Sequence, residues 1–158
     1  MKSIRGIFGL AFFALLFWGC KPEPTFPAVP ALTFNKFIQP PNSDSLEVVF
    51  SFTDGDGDIG LLPTDRDSNM LLTVYTQDAN GDFHPMDDIN TPQADSLTYP
   101  YRIPHLTAGQ AGLEGDIYVT LEHKSFIGRD TLQFNAFLLD NSHNRSNYVR
   151  TPSVVLTH

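Results

Sequence analysis

The stretch LEVVFSFTDGDGDIG, residues 46–60, joins an alternating apolar segment to a run of aspartates and glycines. In its first half, Leu46, Val48, Phe50 and Phe52 occupy every second position. Side chains of a β-strand point alternately to the two faces of the sheet, so this period of two predicts a strand with one buried face. Aspartate and glycine are common turn residues, so the second half predicts a loop at the end of that strand.

The same period of two recurs along the chain after this strand. The recurring apolar positions are Leu72 and Val74, then Ile117, Val119 and Leu121, then Leu132, Phe134, Ala136 and Leu138. A last strand is predicted over 148–156, with Pro152 at an edge or a bulge because proline cannot donate to the ladder. Asn80-Gly81 is typical of a hairpin turn. Short strands separated by turn residues, with no long helical period, predict an all-β antiparallel sandwich.

The first nineteen residues have the features of a secretory signal peptide. Lys2 and Arg5 precede the apolar run 7–18, which is too short to span a bilayer comfortably. Cys20, the only cysteine of the chain, follows this run, and the segment 15–20 resembles the box at which bacterial lipoproteins are processed. The resemblance implies cleavage before Cys20, a diacylglycerol on its sulfur and anchoring to the outer membrane of a bacterial envelope. The alternative is an uncleaved N-terminal anchor, which would also hold the protein at a membrane.

Three segments are therefore predicted: a signal peptide over 1–19, a tether over 20–43 that starts with the lipidated Cys20, and a sandwich domain over 44–158. The tether is rich in proline, as in KPEPTFP at 21–27. Proline lacks an N–H and restricts the backbone, which keeps such a segment extended. Its later part, around Leu32-Thr33-Phe34, can pair as a first strand.

After removal of the signal peptide, the chain is strongly acidic. Lys2 and Arg5 leave with the peptide, so eight basic residues remain beside 18 acidic ones and the formal charge becomes −10. Nucleic-acid binding requires a basic surface, so no nucleic-acid partner is expected. The same charge disfavours electrostatic attraction to anionic lipid, which leaves the lipid on Cys20 as the expected membrane contact.

The acidic loop is the clearest candidate for a binding site. Asp54, Asp56 and Asp58 alternate with glycines, so their carboxylates can turn toward one cation while backbone carbonyls add further oxygens. Such an oxygen-rich site favours calcium. An EF-hand does not fit, because Ile59 occupies the position that needs glycine and the flanks are not helical in pattern. The alternative is a solvated turn without a metal.

A second polar cluster, DNSHNRSN at 140–147, follows the strand predicted over 132–139. If this cluster and the acidic loop lie at the same end of the sandwich, Asp140 would complete the coordination sphere. Further candidate ligands are Asn141, Asn144, Asp65 and Asp67.

The two motifs together resemble a group of small Bacteroidota surface or periplasmic lipoproteins of unassigned function. The segments that carry the resemblance are FTDGDGDIG at 52–60 and DNSHNRSN at 140–147, followed by Thr151-Pro152. It spans about residues 46–156 and implies an immunoglobulin-like sandwich. The second segment is similar to the ending of bacterial immunoglobulin-like modules, in which a glycine stands where this chain has His143.

The sequence has no sign of a catalytic centre. It contains no Gly-x-Ser-x-Gly elbow, and its one cysteine is expected to carry lipid. We therefore expect a non-catalytic binding or scaffold module of the envelope, with a protein or glycan partner. Two alternatives stay open: a small metal-dependent hydrolase that uses the acidic loop, and a structural surface-coat protein.

Overall fold

The computed structural model describes residues 26–41, 43–87, 96–105, 112–126 and 128–157. These residues form nine β-strands and one 3₁₀ helix, His123–Phe126. The strands are β1 (Ala31–Ile38), β2 (Ser45–Asp54), β3 (Met70–Gln77), β4 (Phe83–Pro85), β5 (Thr98–Tyr101), β6 (Leu113–Glu122), β7 (Thr131–Leu138), β8 (Val149–Arg150) and β9 (Val154–Val155). No helix among the described residues is long and apolar enough to cross a membrane. The signal peptide and Cys20 lie outside the described residues.

The first sheet has three strands in the order β1-β2-β6, and both of its ladders are antiparallel. β2 is the central strand and pairs with β6 along its whole length, from Ser45 opposite Glu122 to Asp54 opposite Leu113. The register between β1 and β2 shifts between Phe34 and Lys36. Asp54 is thus the last residue of a fully paired strand, which places the acidic loop at the end of this sheet.

The second sheet has the order β4-β3-β7-β8, with β5 also paired to β3 and β9 also paired to β7. β3 pairs with β5 through Met70–Thr73 and with β4 through Tyr75–Gln77. In an immunoglobulin-like sandwich, strands A, B and E lie in one sheet and strands C, F and G in the other. Here β1, β2 and β6 take the places of A, B and E, and β3, β7 and β8 take those of C, F and G. This confirms the all-β, immunoglobulin-like class predicted from the sequence.

The core lies between the two sheets and is built largely from the alternating apolar positions predicted from the sequence, to which Leu32, Ile59, Met70, Ile103 and Phe126 are added. The central strand β2 contributes Leu46, Val48, Phe50 and Phe52, all 5% exposed or less. The opposite sheet contributes Leu72, Val74, Leu132, Phe134, Ala136 and Leu138, each 0% exposed. Burial of these side chains is the main stabilising contribution to the sandwich, at about 1.5–3 kcal/mol for each large one.

Two local predictions agree with the structure. Gly81 has a φ of 91° in the hairpin that joins β3 to β4, as expected for a turn built around Asn80-Gly81. Pro152 lies in the break between β8 and β9, so the last strand is divided in two at this residue.

The sandwich starts earlier than residue 44, where the sequence placed the boundary. β1 pairs with β2 from Ala31 to Ile38, as the pattern around Leu32-Thr33-Phe34 had indicated. Asn147 also binds β1, since its side chain accepts from the N–H of Leu32 and donates to the Leu32 carbonyl, both at 2.9 Å. Proline content alone misplaced the boundary, because a proline-rich segment can end in a strand that only a distant partner stabilises.

Candidate metal centre

The acidic loop leaves β2 at Asp54 and returns to the core at Ile59. Asp54 is 0% exposed, and its Oδ2 accepts a hydrogen bond of 3.1 Å from the N–H of Ile59. Ile59 is 1% exposed and belongs to the core cluster. The loop is therefore closed by one hydrogen bond and anchored by one apolar side chain.

Glycines allow the tight path of this loop. Gly57 and Gly60 have φ values of 71° and 112°, a region that favours glycine because other residues carry a Cβ. Gly55 is needed for a different reason, since a Cβ there would lie 2.1 Å from the carbonyl oxygen of Phe26 and 2.6 Å from the carbonyl of Pro27. The N–H of Gly55 donates to the Pro27 carbonyl at 2.8 Å. The segment before β1 thus packs directly on the loop.

The three predicted carboxylates come together in the structure. Asp54, Asp56 and Asp58 each offer an oxygen, and these oxygens lie within 4.8 Å of one another. Asp54 is buried, Asp58 is half-buried and Asp56 is exposed. The Oδ1 atoms of Asp54 and Asp58 are both buried and accept no hydrogen bond from the described residues. A buried carboxylate oxygen without a donor is costly, so a cation is the group that this arrangement fits.

The electrostatic environment of Asp54 agrees with this geometry. The pKa of its carboxyl is raised to about 6, mainly by burial and also by the nearby carboxylates of Asp56 and Asp58 and a hydrogen bond to the Asp56 side chain. The hydrogen bond from Ile59 opposes the pKa rise. A divalent ion would favour the ionised form and remove the repulsion among the three charges.

The loop after β7 contacts the acidic loop, so the two loops lie at the same end of the sandwich. The N–H of Asn141 donates to the Asp58 carbonyl at 3.3 Å, and its Nδ2 donates to the Gly60 carbonyl at 3.1 Å. Ser142 Oγ donates to Asp58 Oδ2 at 2.8 Å. These hydrogen bonds from the loop after β7 hold Asp58 in position.

Asp140, the fourth predicted ligand, is used in its own loop. Its Oδ1 accepts from the N–H of Asn144 at 2.7 Å and its Oδ2 accepts from Asn144 Nδ2 at 2.8 Å. His143, in the same turn, has a φ of 63°, so the turn forms with a histidine where the similar modules have glycine. Asp140 does not belong to the group formed by the other three aspartates.

Asp65 and Asp67 also lie outside that group. Oδ2 of Asp65 accepts from the N–H of Leu62 at 2.8 Å, and Asp67 lines a groove beside the loop after β7. Sequence reasoning did not predict the hydrogen bond from Ser142 to Asp58, since the only signal for Ser142 was its place in the polar cluster. It also did not single out Asn69, a buried residue that lines the same groove as Asp67.

Comparisons with known proteins supply little further information. No protein-family profile matches the chain, and no curated protein sequence matches it. Two solved structures are similar: wild-type OgpA from Akkermansia muciniphila, and catalytically inactive OgpA in complex with an O-glycopeptide (glycodrosocin) substrate. Each is 11% identical, with TM-scores of 0.39 and 0.38, over 84% of this chain. This chain spans only 30% of the length of either structure.

Proposed function

We propose that this protein is a lipid-anchored envelope module that binds a partner without catalysis and is stiffened by calcium at Asp54, Asp56 and Asp58. The observation that carries the metal site is the pair of buried carboxylate oxygens, Oδ1 of Asp54 and of Asp58, that accept no hydrogen bond from the described residues. Acidic turns are common on protein surfaces, but their oxygens normally face water. Here one carboxylate is fully buried beside two others.

Calcium is the ion that suits this chemistry best. It takes six to eight oxygen ligands in flexible geometry, whereas magnesium requires a near-ideal octahedron. Three carboxylates on a loop with two glycines at positive φ supply hard oxygen ligands and backbone freedom for carbonyls to join them. Extracellular sites of this kind bind with dissociation constants of about 0.1–1 mM.

The proposed role of the ion is structural. The acidic loop contacts the segment before β1 through Gly55 and the loop after β7 through Asp58. Gly55 also accepts a hydrogen bond of 3.0 Å from the N–H of Gly112, just before β6. An ion at the centre of the loop would hold these separate segments together at one end of the sandwich.

A groove lies near this end of the sandwich, between the segment 61–69 and the loop after β7, and its position favours a binding role over a hydrolase. The groove is lined by Asp140 and Asn141, whereas Asp54, Asp56 and Asp58 are not among its lining residues. A metal-dependent hydrolase would need its ion to face the substrate cavity. The expected membrane contact is the lipid on Cys20, and the partner is a protein or a glycan.

The metal site is tested by thermal unfolding of the soluble domain with calcium and with EGTA. Calcium at ten times its dissociation constant should stabilise the fold by about 1.4 kcal/mol, because it binds only the native state. For a domain of this size, that corresponds to a rise in Tm of about 3–6 °C. The variant Asp56→Asn should lose the rise, and Asp82→Asn, an exposed aspartate of the β3–β4 hairpin, should keep it.

Each part of the proposal has an outcome that contradicts it. An equal calcium response in Asp56→Asn and wild type would reject the site. Calcium-dependent hydrolysis of a chromogenic ester or glycoside, abolished by Asp56→Asn, would replace the binding role with the hydrolase. Absence of any selective partner in crosslinking on intact cells would favour the surface-coat alternative. Persistence of Cys20→Ser in the membrane fraction, with no loss of incorporated palmitate, would reject the lipid anchor.

A further inference from the structure

The outer faces of the two sheets differ in charge. Alternate residues of each long strand are buried in the core, so the residues between them point outward. In the first sheet, Glu47, Glu114, Asp116 and Glu122 occupy outward positions. In the second sheet, no outward position of the strands that the structure describes is aspartate or glutamate. An anion would therefore be repelled least at the outer face of the second sheet.

Two exposed arginines, Arg145 and Arg150, extend over this face and stack on aromatic rings. Cζ of Arg145 lies 4.8 Å from the ring centre of Tyr148 and 5.6 Å from that of Phe137. These two rings pack edge to face, with 5.0 Å between their centres. Cζ of Arg150 lies 5.2 Å from the ring centre of Tyr75. Because stacking restricts both arginine side chains, less conformational entropy is lost when they bind a ligand.

Each guanidinium group keeps two nitrogens on one edge for a ligand. Nη1 of Arg145 donates to the hydroxyl of Tyr148 at 2.9 Å, which leaves its Nε and Nη2. Nε of Arg150 donates to Oε1 of Gln133 at 2.7 Å, which leaves both of its Nη atoms. Neither arginine has an acidic partner among the described residues. An edge with two N–H donors matches the two oxygens of a carboxylate.

The strand β7 sets the distance between the two arginine sites. Tyr75 is opposite Gln133, and Phe137 lies four residues further along β7. Four residues of an antiparallel strand span about 13 Å, so the two stacked guanidinium groups are separated by roughly this distance along the strand. β7 pairs with β3 on one side and with β8 and β9 on the other, so the sheet fixes this spacing. A ligand that contacts both arginines therefore carries two separate anionic groups.

We propose that this face binds an acidic polysaccharide, with one uronate carboxylate on Arg145 and another on Arg150. Tyr148 is 58% exposed, so its ring can pack against the C–H groups of a sugar. Its hydroxyl accepts from Arg145 and keeps a proton to donate to a sugar hydroxyl. This proposal rests on the binding role proposed above and names the class of partner.

Other anionic partners fit this face less well. Extended peptides bind by adding a strand to a free sheet edge, but β7 is paired on both sides. The face therefore offers side chains only, and the N–H and C=O groups of a peptide would lose water without gaining partners. Nucleic acids and anionic membranes present charge over a broad surface and would also meet the acidic residues of the rest of the domain.

The test is calorimetric titration of the soluble domain with short oligomers of galacturonate and of mannuronate. EGTA is present because calcium binds both carboxylated sugars and, as proposed, the acidic loop. At least one acidic oligomer should bind, and its methyl ester, the matched neutral ligand, should bind at least tenfold more weakly. Arg145→Gln and Arg150→Gln should each weaken binding about tenfold, because a charged hydrogen-bonded pair is lost. Arg66→Gln makes the same change at an exposed arginine of the segment 61–69 and should leave binding unchanged.

Each outcome supports or overturns the proposal. Binding of an acidic oligomer that is weakened by methyl esterification and by both arginine variants supports it. No binding of any acidic oligomer, equal affinity for the methyl ester, or an equal loss in Arg66→Gln overturns it.

Tighter binding of a hexaglutamate peptide or of vesicles that contain phosphatidylserine, in the same assay, also overturns the polysaccharide. Peptide binding would keep the binding role proposed above and reject only the sugar. The titration contains no free calcium, so its result and that of the calcium-dependent unfolding test can fail separately.

Discussion

Ser142 donates a hydrogen bond of 2.8 Å to Oδ2 of Asp58, across 84 residues of sequence. Asp58 follows β2 of the first sheet and Ser142 follows β7 of the second, so this bond connects the ends of the two layers. The serine leaves Oδ1 of Asp58 without a hydrogen-bond donor from the described residues. One oxygen of the carboxylate is therefore held by protein, and the other is available to a cation.

Removing this hydrogen bond should weaken calcium binding as well as destabilise the metal-free fold. Ser142→Ala deletes a neutral donor at an exposed position, which costs about 0.5–1.5 kcal/mol. The freed carboxylate should then be less well oriented for the ion, with calcium affinity reduced several-fold in calorimetry. Ser153→Ala, an exposed serine between β8 and β9, is the control. A fall in Tm with unchanged calcium affinity would show that Ser142 has no part in the metal site.

Gly55→Ala should displace the segment before β1. The added Cβ would overlap the carbonyl oxygen of Phe26, and overpacking of this kind costs about 1–3 kcal/mol. Urea unfolding of wild type and variant measures this cost. A domain that starts at Ala28 lacks the clashing atoms, so Gly55→Ala should destabilise it much less. If the cost is the same in both backgrounds, the contact with Phe26 and Pro27 is not its cause.

The metal-free protein should become more stable as the pH falls below neutral, through Asp54. Burial and, to a lesser extent, the carboxylates of Asp56 and Asp58 raise the pKa of its carboxyl from 3.8 to about 6, so the native state binds the proton more tightly than the unfolded state does. This contribution is fully present below pH 3.8 and is lost as the pH rises through about 6.

Asp54→Asn isolates this effect from those of the other acids. In urea with EGTA, the unfolding free energy of wild type minus that of the variant should fall as the pH rises across this window. Calcium binds the ionised carboxylate, so its affinity should fall below about pH 6. A difference that stays constant between pH 4 and pH 7 would contradict the raised pKa.

Substitution of His143 tests the backbone conformation of the turn that holds Asp140. Its φ of 63° is unfavourable for residues with a Cβ and worst for β-branched ones. Histidine already bears this strain, so His143→Val should cost about 1 kcal/mol more through its β-branch, whereas His143→Gly should be neutral or slightly stabilising. Thermal unfolding in EGTA measures both without the metal. Equal losses of stability for valine and glycine would show that the histidine ring, rather than the backbone, matters at this position.

Local pattern was enough to predict the fold class and most of the candidate ligands. An apolar period of two over consecutive residues predicts the burial of Leu46, Val48, Phe50 and Phe52. Asp54, Asp56 and Asp58 are close in space partly because they are close in sequence. The sequence left open whether the acidic loop and the cluster at 140–147 lie at the same end of the sandwich, and the hydrogen bonds of Asn141 and Ser142 show that they do.

An acidic loop at the end of a β-strand follows from the linear sequence, because alternation and glycine content act over a few residues. Sheet packing, in contrast, places Ala31–Ile38 in the sandwich, pairs both oxygens of Asp140 with Asn144 and leaves the buried Nδ2 of Asn69 without a partner among the described residues. These features depend on which distant atoms meet when two sheets pack. Hydrogen bonding and burial at such contacts are set by the whole fold, so no local pattern contains them.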